Sequence, residues 1–325
     1  MNYKLRKISG DASFREFYRV KKKNKTSIIV LANKEKYKNL IVYSAVNQIL
    51  KKNKISSPKL IKNYYKNNMI EITDLGEKSF YDFIKNKNNK LKDYKRLIEI
   101  IIKLQKIKIR KIYRFGKYKI KFQKYSLSNL HKESDLFFDW YLKFTLKKGH
   151  KKIKNILRKE LDLIYKKLYF SNKYFVHRDF HASNIMISNK KLSLIDSQDA
   201  IIGNPLYDPA SLIDDVRIKL PKKIQKNLFH YYLYKSKLSE NINLKNDFDI
   251  LSVQRNLKIL GIFVRLKVRD NKSNYLKYLP YTWELIERRM QNPIFNKFRL
   301  LMKKNLPLKK LRKIKVLWKL QEEWF

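Results

Sequence analysis

Short apolar runs separated by charged turns dominate the first 73 residues of the chain. Residues 16–20 (EFYRV) and 26–32 (TSIIVLA) predict two strands around the turn-like KKKNK, and residues 68–73 (NMIEIT) predict a third. Residues 38–54 carry apolar side chains at helical spacing, which predicts an amphipathic helix between the second and third strands. The pattern therefore predicts a small β-rich domain over residues 1–73.

Residues 74–85 (DLGEKSFYDFIK) predict a hinge followed by a helix, and from about residue 90 the apolar spacing is mainly helical. We therefore predict a larger domain over residues 74–325 and an α+β fold class. The predicted helical segments are residues 94–107, 134–148, 153–169, 209–216, 222–236, 249–268 and 280–290. Residues 185–196 (IMISNKKLSLID) are an exception, because two apolar runs flank a turn at 188–190 and predict a β-hairpin. Residues 295–325 form a basic, amphipathic tail, which we expect to pack on the domain as a helix.

The composition favours a globular protein with one large domain or two modest ones, since 44% of its 325 residues are hydrophobic. The absence of cysteine excludes disulfide bonds and thiolate chemistry. No run approaches the roughly 18 apolar residues of a membrane span, and no apolar segment follows the basic N-terminus as it would in a signal peptide. We therefore expect a cytoplasmic monomer without a membrane span.

The net charge of +49 raises the question of nucleic-acid binding. Of the 77 basic residues only 16 are arginine, and the other 61 are lysines spread over the whole chain. Base recognition favours the planar fork of arginine, which is the scarcer residue here. Because lysine is abundant together with Asn, Ile and Tyr, we interpret the charge as compositional bias and expect no specific nucleic-acid partner.

The segment HRDFHASN (177–184) places several polar groups between two apolar runs, 174–176 and 185–187. A capped turn with a buried salt bridge is one interpretation, because buried polar groups are costly unless they are satisfied. The spacing favours another, since Asp179 follows His-Arg and precedes Asn184 by five residues, as in the H-R-D-x-x-x-x-N catalytic loop of kinases. Phosphoryl transfer needs such a carboxylate to orient the attacking hydroxyl and accept its proton.

The predicted hairpin supplies a second carboxylate to this loop. Asn184 precedes its first strand and Asp196 ends its second, so a turn midway between them brings the two residues together at the open end. Amide and carboxylate oxygens are ligands that Mg²⁺ accepts in proteins. We therefore predict Asp179 as the catalytic base and Asn184 with Asp196 as the metal ligands.

The segment after Asp196 distinguishes the chain from protein kinases. Residues 197–215 (SQDAIIGNPLYDPASLIDD) are too short for an activation segment and contain no A-P-E motif. The combination HxDxxxxN … IDxxDAxxGxPLYDxASL resembles the aminoglycoside phosphotransferase and choline kinase superfamily, small-molecule kinases with a protein-kinase-like fold of two lobes. The resemblance implies a nucleotide-binding lobe at 1–73, a catalytic and substrate-binding lobe at 74–325, and a structural role for Asp208.

Four further blocks resemble one branch of that superfamily, the bacterial anomeric kinases for N-acetylmuramate and N-acetylglucosamine, which act in cell-wall recycling. The blocks occur in the same order as in that branch and cover residues 9–20, 72–80, 133–142 and 254–280. The last block is the most specific, because it has no role in general phosphotransfer. The resemblance implies ATP and Mg²⁺ as cofactors and the anomeric hydroxyl of an amino sugar as acceptor.

The N-terminal region has no glycine-rich phosphate loop, since Gly10 is its only glycine. We expect the backbone N–H groups of Gly10, Asp11, Ala12 and Ser13 to contact phosphate instead. Arg15 and Arg19 are candidates to supply positive charge, with a solvated strand face as the alternative interpretation.

Two further features concern the nucleotide. The resemblance implies that adenine bonds to the backbone of a hinge strand near Ile72, Thr73 and Leu75. The third strand of protein kinases carries a lysine, whereas here no lysine occurs in the strand before Lys34. Residues 32–35 (ANKE) also replace an Asp-Ala-Pro-Pro run of the anomeric kinases, which leaves the role of Lys34 open.

Candidate sugar-binding residues are Glu133, Trp140 and Tyr141, because aromatic faces and carboxylates bind sugars. The alternative is that the aromatic residues belong to the core of an amphipathic helix, which we favour for Phe137.

Two loop residues near the predicted base are further candidates for substrate binding. His181 would bond to the acceptor or serve only the loop, and Asp199 would add an acidic group.

Two alternative functions remain at this point. The first is a kinase of the same fold for another small alcohol, such as an aminoglycoside or choline. The chain has only 28 acidic residues, which argues against a cationic acceptor. The second is a noncatalytic nucleotide-binding or RNA-associated protein, which the complete set of Asp179, Asn184 and Asp196 disfavours.

Overall fold

The computed structural model describes residues 4–8, 15–23, 25–32, 38–146, 148–188, 190–238 and 241–308. The strands are β1 (Lys4–Ile8), β2 (Glu16–Lys22), β3 (Lys25–Leu31), β4 (Leu60–Tyr64), β5 (Met69–Thr73), β6 (Tyr113–Phe115), β7 (Tyr118–Ile120), β8 (Tyr174–Val176), β9 (Ile185–Ser188), β10 (Lys191–Leu194) and β11 (Ile201–Gly203). The first helices are α1 (Lys38–Lys52), α2 (Phe80–Ile84), α3 (Leu91–Gln105), α4 (Leu127–Leu136), α5 (Lys143–Leu146) and α6 (His150–Tyr165), with a π-helical turn over Phe137–Leu142. The remaining helices are α7 (Tyr207–Ile213), α8 (Lys222–Ser236), α9 (Ile242–Asp270), α10 (Leu279–Arg289) and α11 (Asn296–Asn305).

Chain contacts divide the protein into two compact units that do not follow the predicted boundary at residue 73. The first unit contains the described residues up to Gln123 together with Lys173–Ile202. The second contains Lys124–Asn172 and the described residues from Gly203 onward. The predicted catalytic loop and hairpin therefore belong to the same unit as the N-terminal sheet.

The first unit contains an antiparallel sheet with the strand order β1-β2-β3-β5-β4. Its centre is apolar, since Val30 of β3 pairs with Ile70 of β5 and both are almost fully buried. Helix α1 contributes Leu40 and Ala45 to the same core. The predicted β-rich region and its helix are therefore present.

The hydrophobic pattern does not predict β1 or β4 as strands. Both lie at the edges of the sheet, and most of their side chains are exposed. An edge strand with polar faces carries no apolar alternation, and such charged edges also oppose unwanted pairing between chains.

The predicted hairpin is formed by β9 and β10, which pair Ile185 with Leu194 at the open end. Backbone bonds hold it to the rest of the first unit, because the N–H of Ile187 donates to the carbonyl of Lys78 at 2.9 Å. At the turn, the Arg96 side chain of α3 donates to the carbonyl of Lys190 at 2.7 Å.

Helix α9 is the centre of the second unit, and it extends the predicted helix at both ends. Near its N-terminus, the fully buried Asp247 carboxylate accepts from the N–H groups of Tyr169 (2.8 Å) and Phe170 (2.9 Å) and from the Asn204 amide (2.7 Å). This carboxylate therefore satisfies the backbone where the chain leaves α6.

The C-terminal tail is described only in part. Helix α11 covers its first residues, whereas 309–325 lie outside the described residues. Among the helices that are described, none is long and apolar enough to cross a membrane.

Gly261 lies where α9 packs directly against the π-helical turn. A Cβ atom at this position would overlap the carbonyl group of Leu136 and approach the backbone nitrogen of Phe137 to 2.7 Å. Because both neighbours are backbone atoms, the side chain cannot be accommodated by a rotamer change. Glycine is therefore required by the close approach of the two segments.

We expect Gly261→Ala to destabilise the protein by about 1–3 kcal/mol, because the backbone must move, even though alanine favours a helix by about 1 kcal/mol. Urea unfolding measures the effect. Val268→Ala, at a half-exposed position of the same helix, is the matched control and should change stability by less than about 0.5 kcal/mol. Equal stability of both variants would contradict the packing argument.

Candidate active site

The HRDFHASN loop leaves β8 and turns sharply before the hairpin begins. Arg178 adopts a left-handed backbone conformation with φ of 76°. After it, the N–H of His181 donates to the carbonyl of Asp179 at 3.1 Å, and the N–H of Asn184 donates to the carbonyl of His181 at 3.0 Å. These bonds satisfy the backbone and hold Asp179 and Asn184 in one compact turn.

The His177 side chain is fully buried and supports the loop from inside. Its ring lies edge-on to Phe180, with 6.0 Å between the ring centroids, and it lies beside the backbone of Ile195. Burial lowers the pKa of His177, against the opposing effect of Asp179. This ring is therefore a neutral structural group, and it explains part of the polar content between two buried stretches.

We expect His177→Phe to reduce the acid sensitivity of the fold. A histidine with a lowered folded-state pKa contributes its full stability above the unfolded value of about 6.5, and that stability is lost as the pH falls below it. The fall in Tm from pH 7.5 to pH 5.5 should be about 2–4 °C smaller in the variant. The control His230→Gln changes an exposed histidine and should show the same fall in Tm as the wild type. A fall in Tm as large as that of the wild type in His177→Phe would contradict a buried neutral ring.

A hydrogen bond from the side-chain amide of Asn184 orients this residue. Its Nδ2 donates to the carbonyl of Asp179 at 3.1 Å and lies 3.3 Å from Nε2 of His181. The Oδ1 atom is therefore the part of this amide that can ligate a cation.

Asp196 ends the hairpin in a left-handed conformation with φ of 61°. Its Oδ1 accepts from the side-chain amide of Gln198 at 2.8 Å, and 41% of its side chain is exposed. Burial of the carboxylate, together with the charges of Asp179 and Asp199, raises the pKa of Asp196 to about 6. A carboxylate whose pKa is raised by neighbouring negative charges is typical of a site that receives a cation.

Helix α1 fixes the segment around Asp196. Asn47 of this helix accepts at Oδ1 from the Ser197 hydroxyl at 2.8 Å, and its carbonyl accepts from the Ser57 hydroxyl at 3.0 Å. The N–H of Leu194 donates to the carbonyl of Ser56 at 2.8 Å. The hydrophobic pattern does not predict this support, although the polar Asn47 on the apolar face of α1 is a signal for it.

Arg15, directly before β2, is also part of this region. Its side chain is only 5% exposed, and its Nη1 lies 4.0 Å from Oδ1 of Asp196. The guanidinium faces the ring of Tyr43 on α1, with 5.9 Å between the guanidinium carbon and the ring centroid. The solvated strand face considered for Arg15 is therefore wrong.

Arg19 has a different environment on the same strand. It donates to both carboxylate oxygens of Asp74, at 2.6 and 3.0 Å, and to the carbonyl of Gly76 at 2.9 Å, and it also pairs with Glu77. Burial favours a higher pKa for Asp74, but the bonds from Arg19 and the Gly76 N–H hold that pKa below its usual value. The solvated alternative is wrong here too, because Arg19 clamps the segment that follows β5.

The predicted hinge residues lie at and beyond the end of β5. Ile72 is buried in the sheet, and Thr73 is already bonded, since its N–H donates to the carbonyl of Lys59 and its hydroxyl accepts from the Lys59 N–H, both at 2.9 Å. Leu75 is half-buried and follows the paired strand. Of the three, Leu75 is therefore best placed for a backbone contact with adenine.

Several predicted phosphate contacts cannot be located. Gly10, Asp11, Ala12, Ser13 and Lys34 lie outside the described residues.

Two candidates near the base differ in exposure. His181 is buried, and its Nε2 lies beside the amide nitrogen of Asn184, which fits a role within the loop. Half of the Asp199 side chain is exposed, and an oxygen of it lies 4.0 Å from Nη1 of Arg178. Both remain predicted substrate contacts.

Glu133, a predicted sugar contact, is buried in the second unit and surrounded by donors. Its Oε2 accepts from Tyr125 (2.7 Å), Tyr207 (3.0 Å) and Gln254 (3.0 Å), and its Oε1 lies 3.3 Å from Nζ of Lys258. Such an arrangement joins α4, α7 and α9, and it gives the predicted sugar-binding role no support.

The aromatic candidates lie on the π-helical turn of the second unit. Tyr141 is fully buried, accepts from the indole N–H of Trp283 at 2.8 Å and stacks on Phe137 at 5.4 Å. Phe137 is thus a core residue, as predicted, and Tyr141 shares that environment. Trp140 is half-buried, and its substrate role stays a prediction.

The donor set suits Mg²⁺ more than a transition metal. Among the described residues there is no cluster of three or more His, Cys, Asp or Glu side chains able to hold a metal ion. The pair of Asn184 and Asp196 offers only oxygen ligands, and Mg²⁺ in nucleotide sites takes one or two carboxylates and completes its shell with phosphate and water. The residues therefore fit a magnesium–nucleotide complex.

Sequence comparison finds relatives over most of the chain. A model described as a phosphotransferase enzyme family matches residues 4–240. An N-acetylmuramate/N-acetylglucosamine kinase of Pseudomonas aeruginosa is 26% identical over 290 residues, which cover 86% of this chain and 81% of the relative. The protein of the same name from Neisseria meningitidis is 24% identical over 287 residues, covering 86% and 83%.

Solved structures with a similar fold are more distant in sequence. An ethanolamine kinase of Plasmodium vivax has a TM-score of 0.62 at 14% identity and covers 91% of this chain and 84% of its own. A thermostable mutant of the aminoglycoside phosphotransferase APH(4)-Ia has a TM-score of 0.63 at 12% identity, with 88% and 94% covered. A spectinomycin phosphotransferase in complex with ADP and spectinomycin has a TM-score of 0.55 at 14% identity and covers 92% of each chain. The predicted two-lobed, protein-kinase-like fold is thereby confirmed.

Proposed function

We propose that this chain, which belongs to the phosphotransferase enzyme family as its motifs predict, transfers the γ-phosphate of ATP to the anomeric hydroxyl of an amino sugar. The observation that carries the proposal is the likeness, over 86% of the chain, to kinases named for N-acetylmuramate and N-acetylglucosamine. The reaction belongs to the recycling of cell-wall sugars. We further propose that the enzyme acts in the cytoplasm as a monomer.

Asp179 has the role of base in this proposal. Its carboxylate orients the hydroxyl of the sugar and takes its proton while the oxygen attacks the γ-phosphorus; the bond from that phosphorus to the β,γ-bridging oxygen breaks, and ADP leaves. The N–H of His181 and the side-chain amide of Asn184 both donate to the carbonyl of Asp179, and these bonds keep the residue in position before substrate binds. Catalysis then depends on positioning and on neutralisation of charge.

Asn184 and Asp196 are the residues that hold Mg²⁺ in this proposal. When bound, Mg²⁺ neutralises negative charge on the phosphate oxygens. The two residues are joined through Ile195, whose N–H donates to the carbonyl of Asn184 at 3.0 Å.

We expect Asp196→Ala to abolish turnover and Asn184→Ala to leave a residual rate that increases with the Mg²⁺ concentration. The difference follows because the first change removes a charged ligand and the second a neutral one. A coupled ADP-release assay across a magnesium titration measures both. Glu99→Ala removes an exposed carboxylate from the same unit and should retain the wild-type rate, whereas an active Asp196→Ala variant would contradict the assignment.

We expect Asp179→Asn to lower kcat by about 10²–10⁴-fold or more, with small changes in the KM values for sugar and ATP. The amide keeps the shape of the side chain but cannot accept the proton. Steady-state kinetics with N-acetylmuramate or N-acetylglucosamine test this, with Glu99→Gln as the control. Near wild-type turnover would move the base to another residue.

The site of phosphorylation has its own test. A panel of amino sugars, aminoglycosides and choline, followed by ³¹P NMR, should give a sugar 1-phosphate with the amino sugars and nothing with the other acceptors. The 1-O-methyl glycoside of a reactive sugar should not be phosphorylated, because its anomeric oxygen is blocked. Phosphorylation of the glycoside would show that the acceptor is not the anomeric hydroxyl. Phosphorylation of choline alone would show that the acceptor is not an amino sugar.

A further inference from the structure

We propose that Arg15 binds the polyphosphate of the nucleotide, the role that a lysine on the third strand has in protein kinases. The inference rests on the proposed use of ATP, and it concerns the residues that recognise the nucleotide.

The charge on β3 is in the wrong place for such a contact. Lys25 is the only basic residue of this strand, and it pairs with Lys22 at the end where β2 turns into β3. The other end of β3 is Leu31, which pairs with Glu16 of β2. Arg15 directly precedes Glu16, so it brings a guanidinium to the end of β3 that lies opposite Lys25.

The contacts of the Arg15 side chain place its guanidinium beside the proposed metal site. Its guanidinium lies 4.0 Å from the oxygen of Asp196, the carboxylate proposed to hold Mg²⁺, and is stacked near Tyr43. A triphosphate that shares Mg²⁺ with Asp196 must pass close to this guanidinium. Its fork of N–H donors matches phosphate oxygens, and attraction between charges is stronger where water is excluded.

Arg19 is the alternative cation on β2, and its bonds argue against it. Both oxygens of Asp74 and the carbonyl of Gly76 already occupy its guanidinium, and Glu77 adds a further charge. Arg15, by contrast, faces Asp196, the proposed metal ligand, with 4.0 Å between its Nη1 and Oδ1 of the carboxylate. The geometry therefore assigns phosphate binding to Arg15 and the clamping of the hinge segment to Arg19.

The experiment compares the binding of ADP and of adenosine without Mg²⁺, by isothermal titration calorimetry on the full chain. In Arg15→Gln and Arg15→Met we expect ADP to bind about 10- to 100-fold more weakly, as for a lost charge-assisted hydrogen bond. Adenosine, which has no phosphate, should change less than about twofold. Arg15→Lys should recover part of the ADP affinity.

The matched control is Arg114→Gln, which removes one positive charge from an exposed position of β6 and should leave both affinities unchanged. Thermal melting checks that each variant is folded, and Arg15→Met keeps the buried volume if the glutamine variant does not fold. If neither neutral variant folds, Arg15→Lys decides, because a weaker affinity for ADP alone supports the proposal.

Three outcomes would overturn the inference. Unchanged ADP affinity in the neutral variants would show that Arg15 does not contact phosphate. Equal losses for ADP and adenosine would indicate a general structural role. A variant with normal magnesium-free ADP binding and an altered magnesium dependence would mean that Arg15 only positions Asp196. A failure of the proposed function would differ from a failure of this inference, because it would appear in the wild-type chain. The wild-type chain would then bind neither ADP nor adenosine, or it would bind them without phosphorylating an amino sugar.

Discussion

The candidate active site depends on how the backbone of Ile195 is held. Its N–H donates to the carbonyl of Asn184 at 3.0 Å, and its backbone lies beside the buried ring of His177. One residue thus joins the loop that carries Asp179 to the strand end that carries Asp196. Because the ring is neutral and buried, the connection is made without a charge in the interior, where an unpaired charge would cost several kcal/mol.

The loop and the hairpin that carry the proposed site could be predicted because their determinants are local. Asp179 and Asn184 are five residues apart, and a hairpin brings Asp196 to them, so a spacing and a turn were sufficient. The attachment of this hairpin to α1 could not be predicted in the same way, since Asn47 and Ser197 are far apart in sequence. The edge strands were missed because their side chains face water on both sides and carry no periodic signal.

The predicted sugar contacts show what the sequence does not determine. A sequence pattern does not distinguish a carboxylate that binds a ligand from one that accepts hydrogen bonds inside the protein. Glu133 accepts from three side chains and Asp247 from three donors, so both carboxylates satisfy hydrogen-bond donors within the second unit. In a chain with 77 basic and 28 acidic residues, several of the scarce acids are therefore used where packed helices need acceptors.

The first compact unit is built from two separate stretches of chain, and this affects how it can fold during synthesis. Its sheet is complete by residue 73, but Lys173–Ile202 is also part of the unit. A ribosome that has released only the first 123 residues has therefore produced a sheet without its hairpin, and almost fifty residues of the other unit follow before the missing piece appears. During that interval Ser56 and Asn47 lack their hydrogen-bond partners Ser193 and Ser197. The nascent chain therefore exposes the surface that binds the hairpin, and this surface must be protected until the hairpin emerges.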